Sequence, residues 1–148
     1  MTPNRFKFRA WDKKNKLMII PFVCEHKYIS INDWFTNSQE PLTSWSLMQS
    51  TGLLDKKGKE IFEGDIIRIE HENSFSNDTK RIDRGVGVVE FGEYCDEGDY
   101  DSISGNGFYI TSKDHPYYQS IHGDIIPFFN EKEIEIIGNI HENHELLK

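Results

Sequence analysis

At 148 residues the chain fits one ordinary domain, or one small barrel with a substantial extension. Its net charge of −8 argues against bulk electrostatic attraction to nucleic acid or an anionic membrane. Aromatic content of 13% beside a single alanine, Ala10, leans the composition toward strands and assigns much of the core to rings.

Arg5-Phe6-Lys7-Phe8-Arg9-Ala10-Trp11 alternates charged with apolar residues at period two, the pattern of a half-buried strand. Phe6, Phe8 and Ala10 share one face. Arg5, Lys7, Arg9 and Trp11 share the other. Asp12 to Lys16 is polar and turns the chain, and Leu17-Met18-Ile19-Ile20 returns as a second strand that Pro21 ends. Across residues 21–46 the sequence gives only fragments. Phe22-Val23-Cys24 and Tyr28 to Ile31 look extended, and Asn32 to Phe35 could open a short helix. Residues 1–46 therefore read as an N-terminal hairpin extension, and residues 47–148 as the main body.

An extended segment, Thr43 to Gln49, leads into that body and runs into the Ser50-Thr51-Gly52 turn. Asp55-Lys56-Lys57-Gly58 and Glu63-Gly64-Asp65 are two further turn signals, one short link apart, followed by the β-branched run Ile66 to Ile69. This pattern reverses the chain, packs Ile61 and Phe62 against a core, and launches a strand. Glu72 to Asp83 reads as a polar connection. Gly85 to Phe91 reads as a strand whose Gly85 and Gly87 permit curvature. Gly92 to Gly107 reads as a long acidic loop, and Phe108 to Thr111 as a strand. A short strand within Ile121 to Phe129, an alternating strand from Glu131 to Gly138 and a last helical turn complete the chain.

Chemistry-bearing residues are present but poorly assembled. Cys24 and Cys95 are far apart, no leader precedes them, and no apolar run approaches the ~18 residues of a membrane span, so reduced thiols in a cytoplasm are expected. Cys95 lies among acids, which oppose thiolate formation. His141-Glu142-Asn143-His144 is one residue short of the HExxH zinc signature. The acidic run across residues 93–101 lacks the central glycine spacing and distal glutamate of a calcium loop. No GxSxG, phosphate-cradling loop or CxxC occurs. The expectation is no enzyme, no metal and no cofactor.

The charges are segregated. Arg5, Lys7, Arg9, Lys13, Lys14 and Lys16 face one acid, Asp12, within residues 1–20, whereas residues 90–101 carry Glu90, Glu93, Asp96, Glu97, Asp99 and Asp101 with no base. Such runs are ordinarily solvated faces. They also allow head-to-tail pairing between copies. The basic face Arg5, Lys7, Arg9 and Lys13, with Trp11 as a stacking ring, is the candidate contact for a partner or for nucleic acid.

Three blocks together resemble the YopX family of bacteriophage and prophage proteins. They are Lys7 to Asp12 with Lys16-Leu17-Met18; Met48 to Leu53 continuing through Asp55, Gly58 to Ile61 and Glu63 to Ile66; and Glu135 to Asn143 with Leu146-Leu147. The resemblance implies an SH3-like barrel in the C-terminal part, a phage origin and residence in the bacterial cytoplasm. It implies no catalytic residues. The combined expectation is a mainly β protein: an SH3-like barrel with an N-terminal β-hairpin and a short C-terminal helix. Its expected role is that of a self-associating, non-enzymatic phage accessory protein with a further phage or host protein as partner. A nucleic-acid-binding module is the alternative.

Overall fold

The computed structural model describes residues 7–19, 44–74, 80–97, 102–112, 125–126, 130 and 132–148. The chain divides into two compact units, Met1–Ser50 and Thr51–Lys148. The expected features of residues 20–43 lie outside the described residues.

In the first unit, strand β1 (Phe8–Asp12) and strand β2 (Leu17–Ile19) form the expected hairpin, with Ala10 opposite Ile19 and Asp12 opposite Leu17. The Asp12 carboxylate builds the turn, accepting the Lys14 and Asn15 backbone N–H groups at 2.9 and 3.0 Å and the Asn15 side-chain amide at 2.7 Å. The hydrogen bonds from the Asn15 backbone and side chain hold the Asp12 carboxyl below its ordinary pKa. On its other side β1 pairs with the first half of strand β3 (Trp45–Leu54), from Phe8 opposite Gln49 to Asp12 opposite Trp45. Strand β1 is thus interior rather than an exposed edge. Four consecutive residues, Arg9 to Asp12, are buried.

In the second unit, the end of β3 neighbours strand β4 (Glu60–Phe62). Strands β5 (Asp65–Ser74), β6 (Lys80–Glu97), β7 (Ser102–Thr111), β8 (Ile125–Ile126) and β9 (Ile134–Asn139) form a curled antiparallel sheet in the order β8-β7-β6-β5-β9. The link around Phe62 folds as its sequence indicates. Ile61 and Phe62 are buried, and Gly64 turns the chain at φ 79°, a left-handed conformation that a side chain would strain. The Gly64 N–H donates to the Val89 carbonyl at 2.8 Å, and its own carbonyl accepts from Ile140 N–H at 2.9 Å. Asp65, also buried, accepts the Phe62 N–H at 2.8 Å. The turn is therefore stitched to β6 and to the residue after β9.

The core cluster is Ile61, Ile67, Ile69, Val89, Ile110 and Ile134, with Phe108 and Ile136 packed against it. The composition pointed to rings. Among the described residues the fully buried side chains of this cluster are instead β-branched, which suits the close pleated inner face of a curled sheet. Two stretches read as connections are also strands. Glu72 to Ser74 pairs with Lys80 to Ile82 in the β5–β6 ladder. The stretch read as an acidic loop is the outer part of the β6–β7 hairpin, with Gly92 opposite Gly107 and Tyr94 opposite Gly105. Cross-strand pairing overrides low intrinsic strand preference here. The tail ends in a single 3-10 turn, His144–Leu147.

Candidate interaction site

The basic face read from the sequence is not displayed as a unit. Lys7 and Lys13 are exposed, and Arg5 lies outside the described residues. Arg9 and Trp11 are only 7% and 6% exposed. Burial of the four consecutive residues Arg9 to Asp12 hides side chains that an amphipathic edge strand would show. A continuous basic stripe with a stacking ring is not on the surface.

A second charged surface, which the linear sequence scatters, assembles on the outer face of the curled sheet. Arg68 and Glu70 point away from the core on β5 and are joined by Arg84 of β6, Glu135 of β9, and Lys56 and Lys57 of the turn before β4. Lys56 Nζ lies 3.0 Å from Glu70 and 3.3 Å from Glu135, and Arg84 Nε lies 3.2 Å from Glu70. Lys57 also pairs with Glu135. The hydrogen bond from Lys56 holds Glu70 below the usual carboxylate range, and those from Lys57 and Lys56 do the same for Glu135. Four bases interlock with two acids on this face. The charges come from elements far apart in sequence, which is why no run announced them.

The β6–β7 hairpin carries the aromatic surface. Phe91 and Phe108 stand opposite one another with ring centroids 4.9 Å apart, and Phe91 remains 47% exposed. On the other face Tyr94 lies over Gly105 and reaches Tyr109, ring centroids 5.5 Å apart. A Cβ at position 105 would fall on the Tyr94 ring, at 2.6 Å from its Cζ, so glycine makes room for the ring. Burial lifts the Tyr109 phenol above its ordinary pKa, and its hydrogen bond to Glu90 adds to the shift. A shallow open depression lies between Glu93 to Cys95 and Ser104 to Asn106.

The outer edge of β9 is sealed by its own chain. The Ile134 carbonyl accepts Lys56 N–H at 3.0 Å, Ile136 N–H donates to Asp55 Oδ2 at 3.0 Å, and Asn139 N–H donates to Asn143 Oδ1 at 3.2 Å. Among the described residues, the outer edge of β7 meets β8 at Ile110 and Thr111. Among the described residues, Ser102 to Tyr109 have no strand on that side.

The other candidate chemistries are dispersed. Cys95 is exposed on β6. His71 pairs with Glu133 at 3.0 Å. His141 lies in the turn after β9, where its N–H and that of Glu142 donate to Asn139 Oδ1, each at 3.0 Å. Among the described residues no group of three His, Cys, Asp or Glu side chains gathers as metal ligands. No helix among them is long and apolar enough to cross a membrane.

The family model for YopX, described as YopX protein, matches residues 7–148. The chain belongs to the YopX family. The match covers both sheets of this YopX-family chain and the turns that seal β9. A solved structure, that of protein EF1440 from Enterococcus faecalis, is 27% identical and aligns over 97% of this chain and 98% of that one, with a TM-score of 0.48. No curated protein matches this YopX-family chain.

Proposed function

We propose that this YopX-family protein is a non-enzymatic accessory protein of a phage or prophage, acting in the host cytoplasm by self-association. We read its C-terminal unit as an SH3-like barrel. Supporting that reading are the curl of the second sheet and the Ile61-Phe62-Gly64 link buried between two turns before β5. The observation that carries the functional reading is the β6–β7 hairpin. It presents the half-exposed ring of Phe91 beside Phe108, surface suited to contact with protein rather than to enclosing a small molecule. A further phage or host protein is a second partner for the same kind of surface. Light scattering of the full chain across a wide concentration range tests self-association. A mass above that of the monomer is expected, and a monomer throughout would end the reading.

The outer-face cluster favours a second reading, nucleic-acid contact. Lys56, Lys57, Arg68 and Arg84 outnumber Glu70 and Glu135 there. Phosphate contacts of this kind weaken steeply with salt. A low-salt gel shift with DNA and RNA, lost in a Lys57→Glu/Arg84→Glu variant, would select this reading over protein contact.

A further inference from the structure

Strands β6 and β7 share a rung at which both residues are glycine. Gly92 stands opposite Gly107, at φ 149° and 159°, conformations that residues with side chains rarely adopt. Toward the body of the sheet the next rungs are Phe91 with Phe108, Glu90 with Tyr109, and Val89 with Ile110, the last pair fully buried in the core. Away from it, Glu93, Cys95, Ser104 and Asn106 are exposed, and the ladder continues to Glu97 opposite Ser102. A ladder resists bending where side chains on both strands pack against their cross-strand neighbours. At a glycine rung neither strand has a side chain to pack, so both change curvature at the same level.

A side-chain contact spans that rung. Tyr94 lies beyond it and Tyr109 before it, with ring centroids 5.5 Å apart. Tyr109 is tied to the body, because its phenol bonds to Glu90, which also accepts the Thr111 hydroxyl at 2.8 Å. Tyr94 reaches back because Gly105 leaves room for its ring. We propose that the Gly92–Gly107 rung is a hinge about which residues 93–97 and 102–106 swing as one arm, and that the Tyr94–Tyr109 contact is its latch. The tyrosines lie on one face of the hairpin and Phe91 and Phe108 on the other, so an arm released from Tyr109 bends toward the half-exposed Phe91. Latched, the arm leaves that ring available for contact; released, it covers the ring. Control of self-association by the arm rests on the reading above, whereas the hinge stands on the backbone and the ring pair.

Backbone amide relaxation dispersion of the full wild-type chain, recorded at low and high concentration, reads the swing, since hinge motions fall in the microsecond-to-millisecond range. Residues 93–97 and 102–106 are expected to share one exchange rate, independent of concentration, that ends at Gly92 and Gly107 and spares Val89 and Ile110. Tyr94→Ala removes the latch from a partly exposed position outside the core. It is expected to raise the released population about 2- to 13-fold, the weight of one aromatic pair. No exchange in the arm of either protein, unrelated rates from one arm residue to the next, or exchange running on into Val89 and Ile110 overturns the hinge. A rate that follows concentration belongs to association and overturns it too. A released population unchanged in Tyr94→Ala overturns the latch. Should that variant fail to fold, the wild-type rates decide the hinge. Light scattering of the variant is expected to show weaker association than wild type, and equal association overturns the cover over Phe91. A wild type that is monomeric throughout ends the self-association reading, and the dispersion still decides the hinge.

Discussion

Phe62 and Gly64 lie where the chain turns into β5 and Asp55 in the turn before β4, and each makes a separate prediction. Phe62→Ala removes a buried ring and should cost about 3–5 kcal/mol of unfolding free energy in denaturant titration. Wild-type stability in that variant would contradict the core placement. Gly64→Ala meets a backbone at φ 79° and should cost about 1–2 kcal/mol by the same measurement. Asp55 is buried and accepts three backbone N–H groups, from Lys57 and Lys59 at 2.9 Å and from Ile136 at 3.0 Å. Burial pushes its carboxyl up, the donors together outweigh that, and its pKa stands below the ordinary value. A lowered folded-state pKa contributes stability that is present above the unfolded value of about 3.9 and is lost as pH falls through the folded value. Unfolding free energy should therefore drop on acidification below about pH 4. Asp55→Asn turns an amide toward an N–H donor, and should cost about 1–3 kcal/mol at neutral pH while flattening that acid limb.

Elements with a local signature were legible, and elements fixed by pairing were not. The β1–β2 hairpin showed period-two alternation and a polar turn, and the β4–β5 link showed a glycine at the position that needs positive φ. The outer halves of β6 and β7 showed neither. Glu93 to Glu97 is acidic and Ser102 to Gly107 is small and polar, so each half looks like a loop until the other lies beside it. The same limit hid the charged outer face, whose members come from four separate elements, and misled the reading of Arg9 and Trp11. Alternation reported which residues share a face of β1. It could not report that both faces would be buried from Arg9 to Asp12. Within the hairpin, the Tyr94 ring depends on Gly105. Gly105→Ala should push the ring off Tyr109, seen as loss of their mutual ring-current shifts in NMR spectra with the fold retained. Unchanged shifts would show that the ring does not rest there.

For the molecule as a whole, membership of the YopX family and a mainly β architecture stand on the match over residues 7–148 and on the strand pairing. Recognition is proposed to lie on the sheet's surface, where the β6–β7 hairpin presents the half-exposed Phe91. Head-to-tail charge pairing, the association expected from the segregated runs, would weaken with salt. Association through the aromatic surface of the β6–β7 hairpin should persist. The most direct test is light scattering of the wild-type chain across a wide concentration range, at low and at high salt. A mass above that of the monomer is expected in both. A monomer at every concentration would contradict self-association.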